Sequence, residues 1–371
     1  MKNKLNLIKG EIAGSIGDLG TFLPYIIGVI TVGGMDATGV LFMFGLMYVF
    51  TGYFYRLPVP VQPMKVIGAV VLVNGLTAGE ITASGILMGL SLIFLALTGL
   101  ADNLARITPI SVTSGIQAGL GISLAILGIK FISSDLLIGI IILLLMLLLL
   151  GNPRIPAALA ALAVGILLTL LIHPEISWPA LDPGFYLPHL VLPQWQDFYR
   201  GFTLGFLPQL PLTLTNSVLV TAALARELFP GQANKVSEKN LCLTLGIGNL
   251  ISMPLGGFVI CHGSGGLAAH HRFGARTGLS VTIMGLFLLL AAVVLGPSSI
   301  KVLQFIPQTV LGCLLFYSGI DLAANVKGLE GKNSIYTFAV VTVISIAVNP
   351  AAGFLVGIPL IYVLNQGLIK L

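Results

Sequence analysis

The sequence predicts an all-α polytopic membrane protein, and three observations support this fold class. Hydrophobic residues make up 56% of its 371 residues and charged residues 8%, with a mean hydropathy of +1.03. Apolar runs of spanning length recur along the chain, as in LLIGIIILLLMLLLL at Leu136 to Leu150. No barrel-type alternation of apolar and polar residues accompanies them, so the spans are expected to be helices.

The apolar runs divide into about fourteen transmembrane segments, seven on each side of a linker. The first seven are expected at 9–31, 37–56, 63–77, 81–100, 104–129, 135–150 and 154–173. The second seven are expected at 197–225, 238–256, 262–272, 277–296, 300–325, 333–349 and 351–369. The linker, 176–196, is rich in proline and aromatic residues and is expected at the membrane interface. An odd number of segments makes the second repeat, 197–371, inverted relative to the first, 1–175.

The lysines and arginines predict the orientation of these segments. With the N-terminus in the cytoplasm, fourteen of the 18 lysines and arginines fall on the inner side. Lys65 falls within the membrane, and the outer residues are Lys130, Arg200 and Lys301. This bias predicts cytoplasmic N- and C-termini and a location in the cell (inner) membrane. Because the basic residues follow topology, no nucleic-acid surface is expected.

One segment in each half is too short to span the membrane and follows a break in the helical pattern. In PVPVQPMK, 58–65, three prolines force an extended backbone, so a helix can begin only near Met64. In SMPLGGFVICHGSGG, 252–266, proline and glycines precede a second short helix. Extended backbone at membrane depth is tolerated where it is buried in protein or lines an aqueous cavity. In an inverted repeat, the N-termini of the two half-helices would face each other near the midplane.

Two converging helix N-termini predict an anion site, because free N–H groups and positive dipole ends point at one place. Lys65, in the first turn of the first half-helix, adds a positive charge. The expected N–H donors are Met64, Lys65, Gly263, Ser264, Gly265 and Gly266, and the expected shell of neutral donors is Thr21, Gln62, Gln209, Asn216 and His262. The alternative is that Lys65 snorkels and that the glycines only permit close helix packing.

Asp18, in GSIGDLGTFLP, is the one carboxylate well inside a predicted span. An intramembrane carboxylate is a functional candidate, as a proton carrier, a cation ligand or a partner of Lys65. Asp18 is therefore the candidate coupling residue for a proton or sodium ion. The alternative is a structural ion pair or a helix-breaking turn. Asn216 similarly has two interpretations, as a substrate donor or as an interhelical hydrogen bond.

The other polar clusters do not predict an enzyme or a metal centre. His270 and His271 are adjacent, so they point to different helix faces, and we expect them to act as membrane-surface charges and loop anchors at the cytoplasmic end of the short helix. Cys261 and His262 are neighbours on an extended strand and point apart, which is poor geometry for a nucleophile and its base. The sequence contains no GxxxxGK loop, so no cofactor is expected and the driving force is an ion or substrate gradient.

Three segments, GSIGDLGTFLP, PVPVQPMK and CHGSGGLAAHHRFGART, together resemble the signature segments of the molybdate transporter family, distant relatives of the SulP-type sulfate permeases. The resemblance extends over nearly the whole chain. It implies the fold of sulfate permeases and nucleobase transporters, with a core domain of 9–100 and 197–296 and a gate domain of 104–173 and 300–369. Such relatives often carry a carboxylate in the eighth segment, where this chain has Asn216, which leaves Asp18 as the coupling candidate.

These observations predict a secondary transporter of a tetrahedral oxyanion, with molybdate first, held between the half-helix N-termini and moved by alternating access. A sulfate or other anion carrier of the same fold is the first alternative. A nucleobase carrier, an anion channel and an intramembrane enzyme are further alternatives. The expected partners are the oxyanion, a coupling proton or sodium ion and the lipid bilayer, and a homodimer is one open assembly.

Overall fold

The structure of the protein is a computed structural model that describes residues 2–101, 109–152, 155–173, 178–324, 326 and 328–368. Residues 104–108 of the predicted fifth segment and residue 369 of the last lie outside the described residues. So do four basic residues assigned to the inner face: Arg106, Arg154, Lys327 and Lys370.

The described residues form an almost entirely helical structure. The helices of the first half are α1 Lys2–Ser15, α2 Leu19–Thr31, α3 Ala37–Tyr55, α4 Lys65–Asn74, α5 Ala78–Thr98, α6 Ile110–Ile132, α7 Leu136–Leu149 and α8 Ala157–Ile172. Those of the second half are α9 Asp197–Leu228, α10 Glu238–Ser252, α11 Ser264–Arg272, α12 Leu279–Leu295, α13 Ser298–Gln304, α14 Gln308–Ala324, α15 Gly331–Ala347 and α16 Pro350–Asn365. Two short strands, β1 Gln62–Pro63 and β2 Ile260–Cys261, precede the half-helices α4 and α11.

Five helical stretches in the described part of the chain are long and apolar enough to cross a membrane. They are Leu7–Thr31, Ala37–Tyr55, Ala78–Thr98, Ile110–Ile132 and Asp197–Leu228. A sixth span is reached if α12 and α13, which are bent by 112° at their junction, count together. Six further apolar helices have only 10–17 residues. Helix length alone therefore does not establish about fourteen spans, and that number stays a prediction.

Two predicted segments are divided in the structure. The first, 9–31, lies in the stretch Leu7–Thr31 counted above as one span, but a turn at 16–18 separates α1 from α2 within it, and Asp18 immediately precedes α2. The segment predicted at 300–325 breaks between α13 and α14, where Pro307 disfavours helical backbone at the preceding residue. The segment predicted at 197–225 is unbroken but contains two π-helical stretches, Gly201–Phe206 and Thr213–Val220. These flank two prolines that cannot donate a backbone hydrogen bond.

Glycines allow three pairs of helices to cross at close range. Where α3 crosses α12, a Cβ built on Gly45 would lie 2.8 Å from the Gly285 carbonyl oxygen, and one built on Gly285 would lie 2.7 Å from that of Gly45. Only glycine permits this approach, which is a common way of packing helices in membranes. Facing glycines also mark the crossing of α5 with α10, at Gly89 and Gly246, and of α6 with α14, at Gly121 and Gly319.

The described part of the linker forms no helix before α9 and packs along residues of the second half of the chain. The Gly184 N–H donates to the carbonyl of Val294 at 2.9 Å, at the end of α12. The Val191 N–H donates to the carbonyl of Pro254 at 2.9 Å, in the turn that leads to β2. The linker thereby covers the chain segment that enters the second half-helix.

Candidate functional site

The extended entries to the two half-helices pair with each other. Gln62 lies opposite Cys261 in the antiparallel pairing of β1 with β2. The Met64 N–H adds a hydrogen bond of 3.0 Å to the Val259 carbonyl. The pairing satisfies backbone groups that would otherwise lie unpaired at membrane depth. It also occupies the Met64 N–H that the sequence predicts as an anion donor, so Met64, which is fully buried, serves here as a structural residue.

Asp18 and Gln62 form a buried pair beside this junction. The Gln62 amide Nε2 donates to both carboxylate oxygens of Asp18, at 2.7 and 2.8 Å, and each residue is 2% exposed. In the described part of the chain, no lysine or arginine lies within ion-pair distance of Asp18. The structure thus joins Asp18 to Gln62 rather than to Lys65. A carboxylate buried with only the Gln62 amide and the Thr21 hydroxyl as side-chain partners is costly while charged, because they replace only part of its hydration.

Glycines on the second half-helix make room for this pair. A Cβ built on Gly266 would lie 2.6 Å from Asp18 Oδ2 and 2.7 Å from Gln62 Nε2. A Cβ built on Gly263 would collide with Gln62 Oε1. Gly263 and Gly266 therefore bring the start of α11 against Asp18 and Gln62, which ties the two halves of the chain together. The N–H of Gly266 is itself bonded to the Gly263 carbonyl at 3.1 Å.

Gln209 caps the first half-helix. Its side-chain Oε1 accepts hydrogen bonds from the N–H groups of Val66, at 2.9 Å, and Ile67, at 3.4 Å. Its Nε2 donates to the Thr213 hydroxyl at 3.0 Å, and the residue is 1% exposed. Gln209 thus satisfies N–H groups at the start of α4 that would otherwise be free. This differs from the predicted role, in which Gln209 donates to a substrate oxygen.

His262 is also held by the protein. Its Nδ1 lies 2.7 Å from the Pro60 carbonyl oxygen and its Nε2 lies 2.9 Å from the Thr244 hydroxyl. The ring is fully buried and packs edge-on against Tyr55. Both nitrogens are engaged, so His262 has no nitrogen to offer to an anion or to the neighbouring Cys261 thiol. The role that this geometry supports is to fasten the two extended entries together.

Asn216, Ser264 and Gly265 are more accessible. The Ser264 hydroxyl donates to Asn216 Oδ1 at 2.7 Å, and both residues are half-buried. Asn216 lies in the second π-helical stretch of α9, a local distortion that often occurs at functional positions. Gly265 is exposed, and a Cβ built on it would meet nothing within 4 Å. The start of α11 is thus open on the face that carries Gly265.

A cavity of about 150 Å³ lies beside the later part of α11, at Ala269 and Arg272. On one side it is bounded by the start of α2, by Lys65 and by the end of α11; on the other side it is bounded by the α7–α8 connection and by α14. Its polar lining residues include Thr21, Tyr25, Lys65, Arg272, Ser318 and Asp321. Thr21 and Lys65 are the predicted site residues that reach this cavity. The predicted residue Gly265 lies near the start of α11, and the cavity is lined by Ala269 and Arg272 nearer the end of the same helix.

Lys65 has a partner that sequence reasoning missed. Its Nζ lies 3.3 Å from Asp321 Oδ2, and the side chains are 21% and 54% exposed. Asp321 lies near the end of α14, in FYSGIDLAA. A carboxylate near the end of a predicted span is expected to face water, so the sequence did not single out Asp321 as a site residue. The signal was the helical spacing from Tyr317 and Ser318 to Asp321, which places all three on one face. The pair therefore joins α4 to α14 beside the cavity.

The structure corrects the interpretation of His270 as a membrane-surface charge. His270 is fully buried, and its Nδ1 lies 2.7 Å from the Gly14 carbonyl oxygen at the end of α1. The neighbouring Glu11 is also fully buried and accepts hydrogen bonds from the N–H groups of Arg276, Thr277 and Ser280, at 2.9 to 3.1 Å. These bonds hold α1 against the end of α11 and the start of α12. His271 is half-buried and packs edge-on against Phe229.

Comparison with known proteins identifies the family. A family model described as "Molybdate transporter of MFS superfamily" matches residues 10–124 and 201–322, which include all the predicted site residues. The chain belongs to the molybdate transporter family. It is 31% identical to "Molybdate transporter 2" of Arabidopsis thaliana, over 97% of this chain and 88% of that protein. It is 30% identical to "Molybdate transporter 1" of the same plant, over 98% of this chain and 90% of that protein.

Solved structures show which fold this member of the family has. The transmembrane domain of the cyanobacterial bicarbonate transporter BicA matches 93% of this chain and 97% of its own length, with a TM-score of 0.72 and 21% identity. SLC26A9 matches 96% of this chain and 66% of its own length, with a TM-score of 0.70 and 14% identity. The protein is therefore an integral membrane transporter with a mostly helical SulP/SLC26-like fold. The resemblance predicted from the three sequence segments is confirmed.

Proposed function

We propose that the protein is a secondary transporter of molybdate or a similar tetrahedral oxyanion, which binds in the cavity bounded by Thr21 and Lys65. The observation that carries this proposal is the cavity itself, which is bordered by Lys65 at the start of α4 and by Arg272 at the end of α11. Two cations and a helix N-terminus favour an anion. The names of the relatives support molybdate as that anion.

The proposed donor set is smaller than the sequence suggests. Lys65 supplies charge and Thr21 a hydroxyl at the cavity wall. Ser264 and Gly265 do not line this cavity, but they are the accessible residues at the start of α11, and their N–H groups are the proposed further donors. Asn216 holds Ser264 in place and can present its own amide. The other predicted residues are proposed to hold the two half-helices in position and not to bind the anion themselves. They are Gln62, Met64, Gln209, His262, Gly263 and Gly266. A small number of donors and a cavity that is open on one side favour release of the anion as well as its binding.

Alternating access is proposed to move the core segments against the gate segments. The close α3–α12 and α5–α10 crossings lie within the expected core, and the α6–α14 crossing lies within the expected gate. The cavity lies between the two sets. With the N-terminus in the cytoplasm, the α7–α8 connection that borders the cavity is cytoplasmic, so the proposed state is inward-facing in the inner membrane.

Asp18 remains the proposed coupling residue. Its burial with Gln62 makes a proton or a small cation favourable at this position during part of the cycle. Gly266 packs so close to the same carboxylate that there is no room for a Cβ, so a change in the charge of Asp18 would act on the start of α11. Proton or sodium coupling through Asp18 follows from this contact.

Uptake into proteoliposomes tests the proposed function. The purified chain should accumulate molybdate against its gradient when a proton or sodium gradient is imposed, and unlabelled tungstate should compete. Sulfate competition equal to that of molybdate would favour the sulfate-carrier alternative. Equilibration without accumulation would favour a channel, and competition by uracil alone would favour a nucleobase carrier. Absence of oxyanion binding and uptake at every pH and sodium concentration would refute the proposal.

A further inference from the structure

We propose that Asp321 sets the affinity and charge selectivity of the transporter by competing with the anion for Lys65. This inference rests on the proposed function. It adds a residue on the gate side to a site whose predicted members all belong to core segments.

The position of Lys65 calls for an anionic partner. Lys65 is the first residue of α4, where the positive end of the helix dipole disfavours a lysine. The Asp321 carboxylate, 3.3 Å from Nζ, supplies the negative charge in this structure. A bound oxyanion would supply the same charge to the same ammonium group. The two anions are therefore alternatives at Lys65.

Structural stabilisation alone does not account for the pair. Asp321 is 54% exposed, and ion pairs with an exposed partner contribute little to stability because water and salt screen them. A weak pair can be broken by an entering anion. The hydroxyl of Tyr25, which lies in a buried side chain bordering the same cavity, has no hydrogen-bond partner in the described part of the chain. It is a donor that an entering oxyanion could use.

The charge of Asp321 also acts on the anion directly. A carboxylate at the wall of the cavity repels an anion with an energy proportional to the anion's charge. A dianion such as molybdate is repelled about twice as strongly, in energy, as a monoanion of the same shape. Perrhenate is a tetrahedral oxyanion with one negative charge and provides that comparison. Asp321 therefore lowers the affinity for both anions, and for molybdate more.

The test is calorimetric titration of the full-length purified chain with molybdate and with perrhenate at constant ionic strength. We expect Asp321→Asn to bind molybdate roughly fivefold more tightly and perrhenate roughly three- to fourfold more tightly than the wild type, because both anions gain a free Lys65 and only the repulsion differs with charge. In a Lys65→Gln background, the molybdate gain from Asp321→Asn should fall to roughly twofold, because only direct repulsion is left. Asp321→Ser provides a second neutral variant should the first fail to fold.

Glu227→Gln is the matched control, because it removes an exposed carboxylate that does not line the cavity. It should leave both affinities unchanged. Wild-type binding with unchanged or weaker molybdate binding by both Asp321 variants would overturn this inference while leaving the proposed function intact. Equal gains for molybdate and perrhenate would also overturn it, since the effect would not follow charge. Failure of the wild type to bind either anion would overturn the proposed function, and this inference with it.

Discussion

Replacing Gly266 with alanine tests whether the contact between α11 and the Asp18–Gln62 pair holds the two half-helices together. The added Cβ would lie 2.6 Å from Asp18 Oδ2, 2.7 Å from Gln62 Nε2 and 2.8 Å from Pro60 Cβ. Ordinary van der Waals contact begins near 3.4 Å, so each neighbour would have to move by several tenths of an ångström. Overpacking of this kind costs about 1–3 kcal/mol. Weakening the bonds to the carboxylate adds about 1–2 kcal/mol.

We therefore expect Gly266→Ala to lower the free energy of unfolding by about 2–5 kcal/mol. Gly265→Ala is the matched control, because it adds the same methyl group one residue earlier, where nothing lies within 4 Å. Alanine is a better helix former than glycine, so this variant should be as stable as the wild type or more stable by about 0.5–1 kcal/mol. Thermal unfolding in detergent measures both effects. A Gly266→Ala protein as stable as the Gly265→Ala protein would refute the reasoning.

Three further predictions concern charge and hydrogen bonding at the site. Lys65→Gln should weaken molybdate binding by roughly tenfold to a hundredfold, because a charge-assisted hydrogen bond is lost, and titration of the purified protein measures this. Asp18→Asn should retain molybdate binding but lose the dependence of uptake on pH or sodium; an unchanged dependence in proteoliposomes would exclude Asp18 from coupling. His262→Phe leaves the Pro60 carbonyl without its His262 partner, while the Thr244 hydroxyl keeps its bonds to Tyr55 and Leu241, so the change should destabilise the protein by about 1–3 kcal/mol. The His262→Phe protein that remains folded should bind molybdate with unchanged affinity. A variant of wild-type stability with lower molybdate affinity would instead show that His262 takes part in binding the anion.

The sequence was informative where local chemistry restricts the backbone. The prolines before Met64 and the glycines before Ser264 predicted two broken segments, and both half-helices begin within about a residue of the expected positions. The isolated charge of Lys65 likewise predicted a residue that borders the cavity. These inferences needed only residue types and their order. They did not require knowledge of what packs against what.

The sequence was less informative about which donors are already used. Gln209, His262 and Met64 are donors by chemistry, and the sequence gives no reason to separate them from Thr21. Their partners, the α4 N–H groups, the Pro60 and Thr244 oxygens and the Val259 carbonyl, are set by tertiary packing. A buried donor is available to a ligand only after the protein's own acceptors are satisfied. Asp321 was missed for a related reason, since its importance comes from the helix that it faces.

The strengths of the contacts around the two half-helices, α4 and α11, determine which helices can move together. The two half-helix entries are joined by the pairing of β1 with β2 and by His262 Nδ1, which bonds the Pro60 carbonyl. The second entry is also fastened to α10, by His262 Nε2 at Thr244 and by the amide of Asn249, which bonds the N–H and the carbonyl of Ile260 at 2.9 and 3.0 Å. These bonds are buried, and breaking them would leave unsatisfied groups that cost about 1–3 kcal/mol each. Where α4 faces α14, the polar contact is the partly exposed pair of Lys65 and Asp321, which is worth about 1 kcal/mol or less. The half-helices should therefore move as one unit, and the break between states should occur at the surface that carries the anion.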